Sequence, residues 1–266
     1  MGHNATKMSR PSNNPVTVLI TGATGGIGAA LAKSYAARGK TLILHGRDPP
    51  RLAAVCAKCR ERGARVLPMS FDLREAKAAI EQLRAVSEQE AIDLVIVNAG
   101  VTRSIGDGEQ VESLEAAREL LAVNLDGALA TVAGVLPAMR RRRSGQIALM
   151  SSLAALHGIA RTPLYCATKA ALKAYGESLR LWLAPQGVAV TVVLAGFVRT
   201  AMTESTKGPK PGIICPDRAA VLIRRGLERN RARIAFPWWL AYGLYLLPLL
   251  PPALAERILR ALGFGR

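Results

Sequence analysis

Val16-Thr17-Val18-Leu19-Ile20-Thr21-Gly22-Ala23-Thr24-Gly25-Gly26-Ile27-Gly28 is the stretch that decides the fold. Its first five residues are a short apolar run rich in β-branched side chains, the pattern of a buried strand. The alanine-rich segment that follows, to about residue 38, reads as a helix. A glycine turn between strand and helix lets backbone approach a pyrophosphate, and the helix start offers free N–H groups and the positive end of a dipole. The same glycines could serve only tight strand–helix packing. The order strand, turn, helix favours nucleotide binding.

Outward from this turn the pattern alternates. Strands are expected at residues 41–45, 65–69, 92–97, 146–150, 188–194 and 233–236. Helices are expected at 50–62, 74–87, 109–143 and 217–229, with another carrying Tyr165 and Lys169 to about 184. This spacing predicts an α/β chain: a Rossmann-type, doubly wound parallel sheet in three layers α/β/α, with right-handed crossovers. Its site should lie at the carboxyl ends of the strands. At 266 residues, half of them hydrophobic, the chain is large enough for a single well-buried domain.

The strand ends carry the candidate binding residues. The second strand ends in Gly46-Arg47-Asp48. An acid at the tip would hold the ribose 2′-hydroxyl of NAD, whereas Arg47 suits a 2′-phosphate and points to NADP(H), with NAD(H) as the alternative. Asp48 is a counter-signal one residue late. Phe71-Asp72-Leu73 ends the third strand, where Asp72 either accepts from an adenine amine or caps the next helix. Asn98-Ala99-Gly100 ends the fourth, where small residues leave room for a cofactor ring or simply make a turn. Asn124 falls inside the long helix, a poor place for Asn, which suggests a bend or a held water.

Composition bounds the partners. Lys plus Arg is 36 and Asp plus Glu 19, a net charge of +17. So basic a chain suggests an anionic partner, whether phosphorylated cofactor, acidic lipid or nucleic acid. The run Arg140-Arg141-Arg142-Arg143 ends the long helix, where cations complement its dipole. No aromatics are interleaved for base stacking, which argues against nucleic acid. Cys56-x-x-Cys59 has no second close pair, and His3, His45 and His157 are scattered, so helix packing is expected there and no metal site. Four cysteines make no disulfide framework and fit a reducing cytoplasm. Residues 1–15 are polar, lack an apolar core and read as a flexible leader.

Ser152 stands thirteen residues before Tyr165-Cys166-Ala167-Thr168-Lys169. Tyr and Lys four apart share a helix face, and an ammonium beside a phenol lowers the phenol's pKa. Together, Thr21-Gly22-x-x-x-Gly26-x-Gly28, Asn98-Ala99-Gly100, Asn124, Ser152, Tyr165-x-x-x-Lys169 and the late Gly196–Thr200 segment resemble the short-chain dehydrogenase/reductase family over about residues 16–200. That resemblance implies hydride transfer between a nicotinamide and a carbonyl or alcohol. Tyr165 would be the acid or base, Lys169 would lower its pKa and hold the ribose, Ser152 would bond the substrate oxygen, and Asn124 would hold a water. Cofactor would meet Gly22, Thr24, Gly25, Gly26, Ile27 and Gly28, then Arg47, Asp72, Leu73, Asn98, Ala99, Gly100, Val198 and Thr200. The chain departs from the family pattern at Ala195, where proline is usual and a looser loop is implied. It departs again at Gly25, where NADP-preferring members often carry a base. Family members commonly form dimers or tetramers, and a homodimer or homotetramer is expected.

Residues 202–216 are Gly/Pro-rich and would form a substrate lid or a connector. Residues 16–236 then make the core domain and 237–266 an apolar tail. Between Pro237 and Pro248 only ten residues are free to form a helix, about 15 Å long against a bilayer core of about 30 Å, so no span is expected. Trp238, Tyr242 and Tyr245 would share one face, and Leu240, Leu244 and Leu247 another. Such a tail suits a pocket cover, a subunit contact or peripheral contact with an anionic membrane. Its Phe-Pro-Trp-Trp start resembles the hydroxysteroid-dehydrogenase-like branch. The functional expectation is an NADP(H)-dependent oxidoreductase for a lipophilic ketone or alcohol. The competing one is a non-catalytic NADP(H)-sensing or docking protein on the same scaffold.

Overall fold

The computed structural model describes residues 14–105, 113–206 and 208–264. Seven parallel strands form one sheet: β1 Thr17–Ile20, β2 Thr41–His45, β3 Arg65–Met69, β4 Leu94–Val97, β5 Gly145–Ser152, β6 Val188–Ala195 and β7 Arg233–Phe236. Their spatial order is β3-β2-β1-β4-β5-β6-β7. The chain runs outward from β1 to β3, then returns to lay β4 against β1, pairing Val18 with Leu94 and Ile20 with Ile96. The crevice at that reversal is where such sheets bind ligands.

Strand side chains alternate between faces. Val18, Ile20, Leu42, Leu44 and Ile96 pack against α1 (Gly26–Tyr35), α2 (Pro49–Arg60) and α8 (Pro216–Glu228). Leu19, Ile43, Val95, Ile147 and Leu149 pack against α3 (Ala76–Gln89), α5 (Gly127–Arg142) and α6 (Pro163–Leu183). Cys56 and Cys59 are buried on the inner side of α2, the packing role the isolated pair suggested. Burial pushes the Cys59 thiol up to about 11, which disfavours the thiolate a metal would need.

Several boundaries differ from the sequence pattern. The long helix shows its first described turn at α4 (Leu114–Leu121), where the Ser113 side chain accepts from the Ala116 N–H. The start expected at Glu109 lies outside the described residues, as do residues 1–13 of the leader. α4 and α5 are joined by a π turn, Ala122–Asp126, and Asn124 sits in it. The combined run is long and apolar enough to cross a membrane, yet 61% of its most apolar window is buried in the fold. α3 begins two residues later than expected, after Glu75 and not after a cap at Asp72.

The arginines at the end of α5 are tethered, not merely solvated. Arg141 pairs with Glu88, Arg142 donates to the Ile92 carbonyl at 2.9 Å, and Arg143 donates to the Pro185 carbonyl at 2.8 Å. Arg140 bonds Gln186 and covers the Trp182 ring.

Past β7, α9 (Trp238–Leu246) lays Leu240 and Leu244 against Leu153, Val192 and Leu194. Tyr245 joins this inner side, with the Arg233 guanidinium 5.9 Å from its ring centre, so it leaves the outer face it was expected to share. Pro251-Pro252 ends one helical stretch and starts another, α10 (Pro252–Ala261), because proline is tolerated in a first helical turn.

Candidate active site

Gly22 has φ +65, and a Cβ there would lie 2.8 Å from the Ala99 Cα. At Gly28 a Cβ would run into the Gly22 carbonyl. These two positions need glycine because backbone occupies the side-chain space. The turn is locked from behind. The buried Thr21 hydroxyl accepts from the N–H groups of Asn98 (3.0 Å) and Ala99 (3.2 Å). Asn98 Nδ2 donates back to the carbonyls of Thr21 (3.1 Å) and Gly22 (3.0 Å). Asn98 is therefore a clamp on the turn as well as part of the cavity wall. Gly25 precedes α1 with no side-chain cap, so the N–H groups of that helix's first turn are left for a ligand.

The roles of His45, Thr21 and Arg51 in this site leave no signal in the sequence. His45 Nε2 lies 3.0 Å from the Phe71 carbonyl, and its Nδ1 lies 3.5 Å from the Gly22 nitrogen. Burial holds its pKa below the ordinary value, opposed by the bond to Phe71, so the ring is neutral, donating at Nε2 and accepting at Nδ1. Only the three-dimensional neighbours reveal this tie between β2, β3 and the glycine turn. Asp48, the counter-signal, accepts from the Arg51 N–H at 3.0 Å and caps α2. That leaves Arg47 and Arg51 as the cations at this end of the cavity. Asp72 binds both the backbone and the guanidinium of Arg74, which holds its carboxyl below the usual carboxylate range. Leu73 beside it is buried and lines the cavity.

At the other end β5 and α6 bring Ser152, Tyr165 and Lys169 together. The Ser152 hydroxyl donates to the Ala195 carbonyl at 3.2 Å, accepts from the Ala154 N–H at 3.1 Å, and hydrogen-bonds the Tyr165 phenol. Lys169 Nζ donates to the Met150 carbonyl at 3.0 Å and lies 5.6 Å from the Tyr165 ring centre. Burial pushes the phenol up to about 12, with the Ser152 bond pulling the other way. Burial also brings Lys169 down to about 8. Burial is the largest cause of both shifts, raising the phenol and lowering the amine. The trio can donate a proton at neutral pH and supply a second donor beside it.

Asn124 is fully buried. Its Oδ1 accepts from the Val101 N–H at 2.8 Å, and its Nδ2 donates to the Val101 carbonyl (3.0 Å) and the Thr168 hydroxyl (3.2 Å). With both amide hydrogens engaged, a water could meet this side chain only at Oδ1.

The cavity joining both ends has a volume of about 490 Å³. Val198 and Thr200 line it, and Thr200 caps α7 (Ala201–Glu204), the helical start of the expected lid. Beyond Ser152 the walls are mainly apolar, with Leu153, Phe197, Met202, Leu240, Leu244 and Phe264, and His157, Arg161 and Thr203 line them too. Phe264 stacks on Phe197, centroids 6.4 Å apart. The loop after Ala195 is held without proline, by Gly196 N–H to the Phe236 carbonyl (2.8 Å) and Arg199 N–H to the Ile214 carbonyl (2.9 Å).

Residues 16–210 match the family model described as short chain dehydrogenase. The chain belongs to that family. As a member it is an oxidoreductase on a Rossmann-like fold. An uncharacterized oxidoreductase of Myxococcus xanthus is 36% identical over 249 residues, covering 92% of this chain and 97% of that relative. A short-chain dehydrogenase from Sphingobium yanoikuyae, solved in complex with NADPH, superposes with a TM-score of 0.77 at 28% identity, covering 92% of this chain and 95% of that one. A short chain dehydrogenase from Burkholderia cenocepacia, solved in complex with NADP, gives 0.78 at 26% identity, covering 93% and 99%. None of these matches singles out the hydroxysteroid branch for this short-chain dehydrogenase.

Proposed function

We propose that this short-chain dehydrogenase is an NADP(H)-dependent carbonyl reductase for a lipophilic ketone or aldehyde, also able to run as an alcohol dehydrogenase. The observation that carries the reading is the Ser152–Tyr165–Lys169 cluster at one end of a cavity whose other end is the glycine turn. Bound NADPH would supply the hydride. Gly22, Thr24, Gly25, Gly26, Ile27 and Gly28 would hold its pyrophosphate, and Arg47 its 2′-phosphate. Asp72 and Leu73 would border the adenine, and Asn98, Ala99, Gly100, Val198 and Thr200 the nicotinamide end. The two neighbours solved with NADPH and NADP support that preference.

Ser152 would donate a hydrogen bond to the carbonyl oxygen while Tyr165 gives it a proton. Lys169 would stabilise the phenolate left behind, and Asn124 would position the α6 backbone beside it through Thr168. A phenol that stays protonated near neutral pH favours reduction. The intact trio argues against a purely sensing role. The apolar walls support a lipophilic substrate. Exposed Leu114 and Leu121 on α4 and Leu181 and Trp182 on α6 offer apolar area for a homodimer or homotetramer. Residues 202–216 would act as the lid and 237–266 as the cover.

The test is a cofactor-consumption screen over ketones and alcohols, run with both nicotinamides. NADPH should support turnover at lower concentration than NADH. Arg47→Ala should raise the NADPH Kd by about tenfold to a hundredfold, the worth of one charge-assisted bond, and leave NADH unchanged. Equal affinity for both cofactors in the unaltered protein would sink the NADP assignment.

The pH profile is a separate expectation. Lys169 is an ammonium below about 8 and loses its charge above it, whereas Tyr165 stays protonated to about 12. Reductive kcat/KM should therefore be flat from pH 6 to 7.5 and fall as pH rises past about 8, by roughly tenfold per unit once the ammonium is the minor form. Alcohol oxidation, which needs the phenolate beside the ammonium, should rise up to about pH 8 and level off above it. A reductive rate that stays level to pH 10 would show that the ammonium is not required.

A further inference from the structure

The outer side of the tail is the largest unexplained feature among the described residues. Trp238 is 70% exposed, Tyr242 67% and Leu249 77%; Trp239 and Leu246 are exposed on α9, and Leu254 on α10. Trp238 and Tyr242 meet edge to face with centroids 6.2 Å apart, so they pair with each other and not with the core. Large apolar side chains rarely cluster on a surface that only water meets. We infer that this face docks on an anionic lipid bilayer.

Three observations select that occupant. Trp and Tyr favour the headgroup region, where an apolar ring and a polar edge are both satisfied. The flanking charge is one-sided: residues 229–266 hold six arginines and one acid, Glu256. On α10 Arg257 is exposed, as is Arg260, which lies 3.5 Å from Glu256, while Arg233 is paired with Glu177. A second copy of this chain, at +17, would bring arginine to arginine, whereas an anionic leaflet attracts them. Finally, α9 is nine residues long, roughly 14 Å, so it can lie in the interface but not cross it.

The same tail lines the substrate cavity from its other side, through Leu240, Leu244, Leu259 and Phe264. Docking would set the cavity roof against the lipid in which a lipophilic carbonyl compound partitions. This consequence rests on the reductase reading; the docking itself does not.

The experiment is co-sedimentation of the full chain with vesicles of phosphatidylglycerol and phosphatidylcholine in equal parts, and with phosphatidylcholine alone, across a salt series. Binding should favour the anionic vesicles, weaken with salt, and be accompanied by a blue shift of tryptophan emission. The triple variant Trp238→Ser, Tyr242→Ser, Leu249→Ser should lose at least about tenfold in partitioning. Val221→Ser, exposed on α8 away from the tail, should lose none. Absence of partitioning in the unaltered chain would overturn the proposal, and so would equal partitioning of the triple variant. A dimer that the triple variant splits, with no vesicle binding, would assign the face to self-association and overturn it too. Because the vesicle arm needs no turnover, its failure is distinguishable from failure of the enzyme assignment.

Discussion

Tyr165→Phe lowers kcat by about 10²- to 10⁴-fold, the usual contribution of a positioned proton donor, and leaves NADPH affinity unchanged. The reason is local. The substitution removes one hydroxyl and keeps the ring that lines the cavity. Ser152 retains its bonds to the Ala195 carbonyl and the Ala154 N–H, so the partner donor stays where it was. Lys169 keeps its bond to the Met150 carbonyl. Only the proton that must follow the hydride is lost. Steady-state kinetics with a ketone found in the screen, beside a fluorescence titration of NADPH, reads both quantities. A Phe variant with undiminished kcat would require a different acid and would end the mechanism proposed for this trio.

The second large effect is expected at Gly22. Gly22→Ala should destabilise the fold by at least about 2 kcal/mol, since a non-glycine residue at positive φ costs roughly 1–2 kcal/mol before any clash. The clash is with backbone: the Ala99 Cα at 2.8 Å and its nitrogen at 3.0 Å, neither of which can rotate away. For a domain of this size the melting temperature should fall by about 4–8 °C. NADPH binding should be lost, because the turn cannot shift without moving the N–H groups aimed at the pyrophosphate. Gly25→Ala is the matched control. Its φ of −80 is ordinary, and the nearest atom to its Cβ is 3.5 Å away, so stability should hardly change. A Gly22→Ala protein that melts and binds like the parent would show that the glycine is dispensable.

How much of this was legible before the structure varies with the range of the interaction. Each of the seven strands lies within two residues of where the pattern of apolar residues places it. Strands buried on both faces leave continuous Val, Ile and Leu runs that few other structures share. Helix starts were less legible. Asp72 looks like a cap, yet its carboxylate is held by Arg74, and α3 begins later. Tyr245 sits on the aromatic stripe of the tail, yet Arg233 and Glu177 draw it inward, Arg233 lying against its ring and paired with Glu177 at 2.8 Å. α10 was not legible at all, because a double proline reads as a stop unless the next element is known.

The sequence by itself determined the α/β alternation, the parallel sheet and the family, because strand burial, glycine turns and the Tyr-x-x-x-Lys spacing are local and each leaves its own signature in the order of residues. It also singled out Ser152, Tyr165 and Lys169 as the groups that should meet. Only the tertiary structure decided what surrounds them. The neutral His45 tie, the Asn98 clamp, the phenol and amine shifted by burial, and the tail folded over the cavity all come from groups tens of residues apart. Their protonation and contacts depend on which neighbours exclude water, and that is a property of packing, which no single stretch of chain encodes.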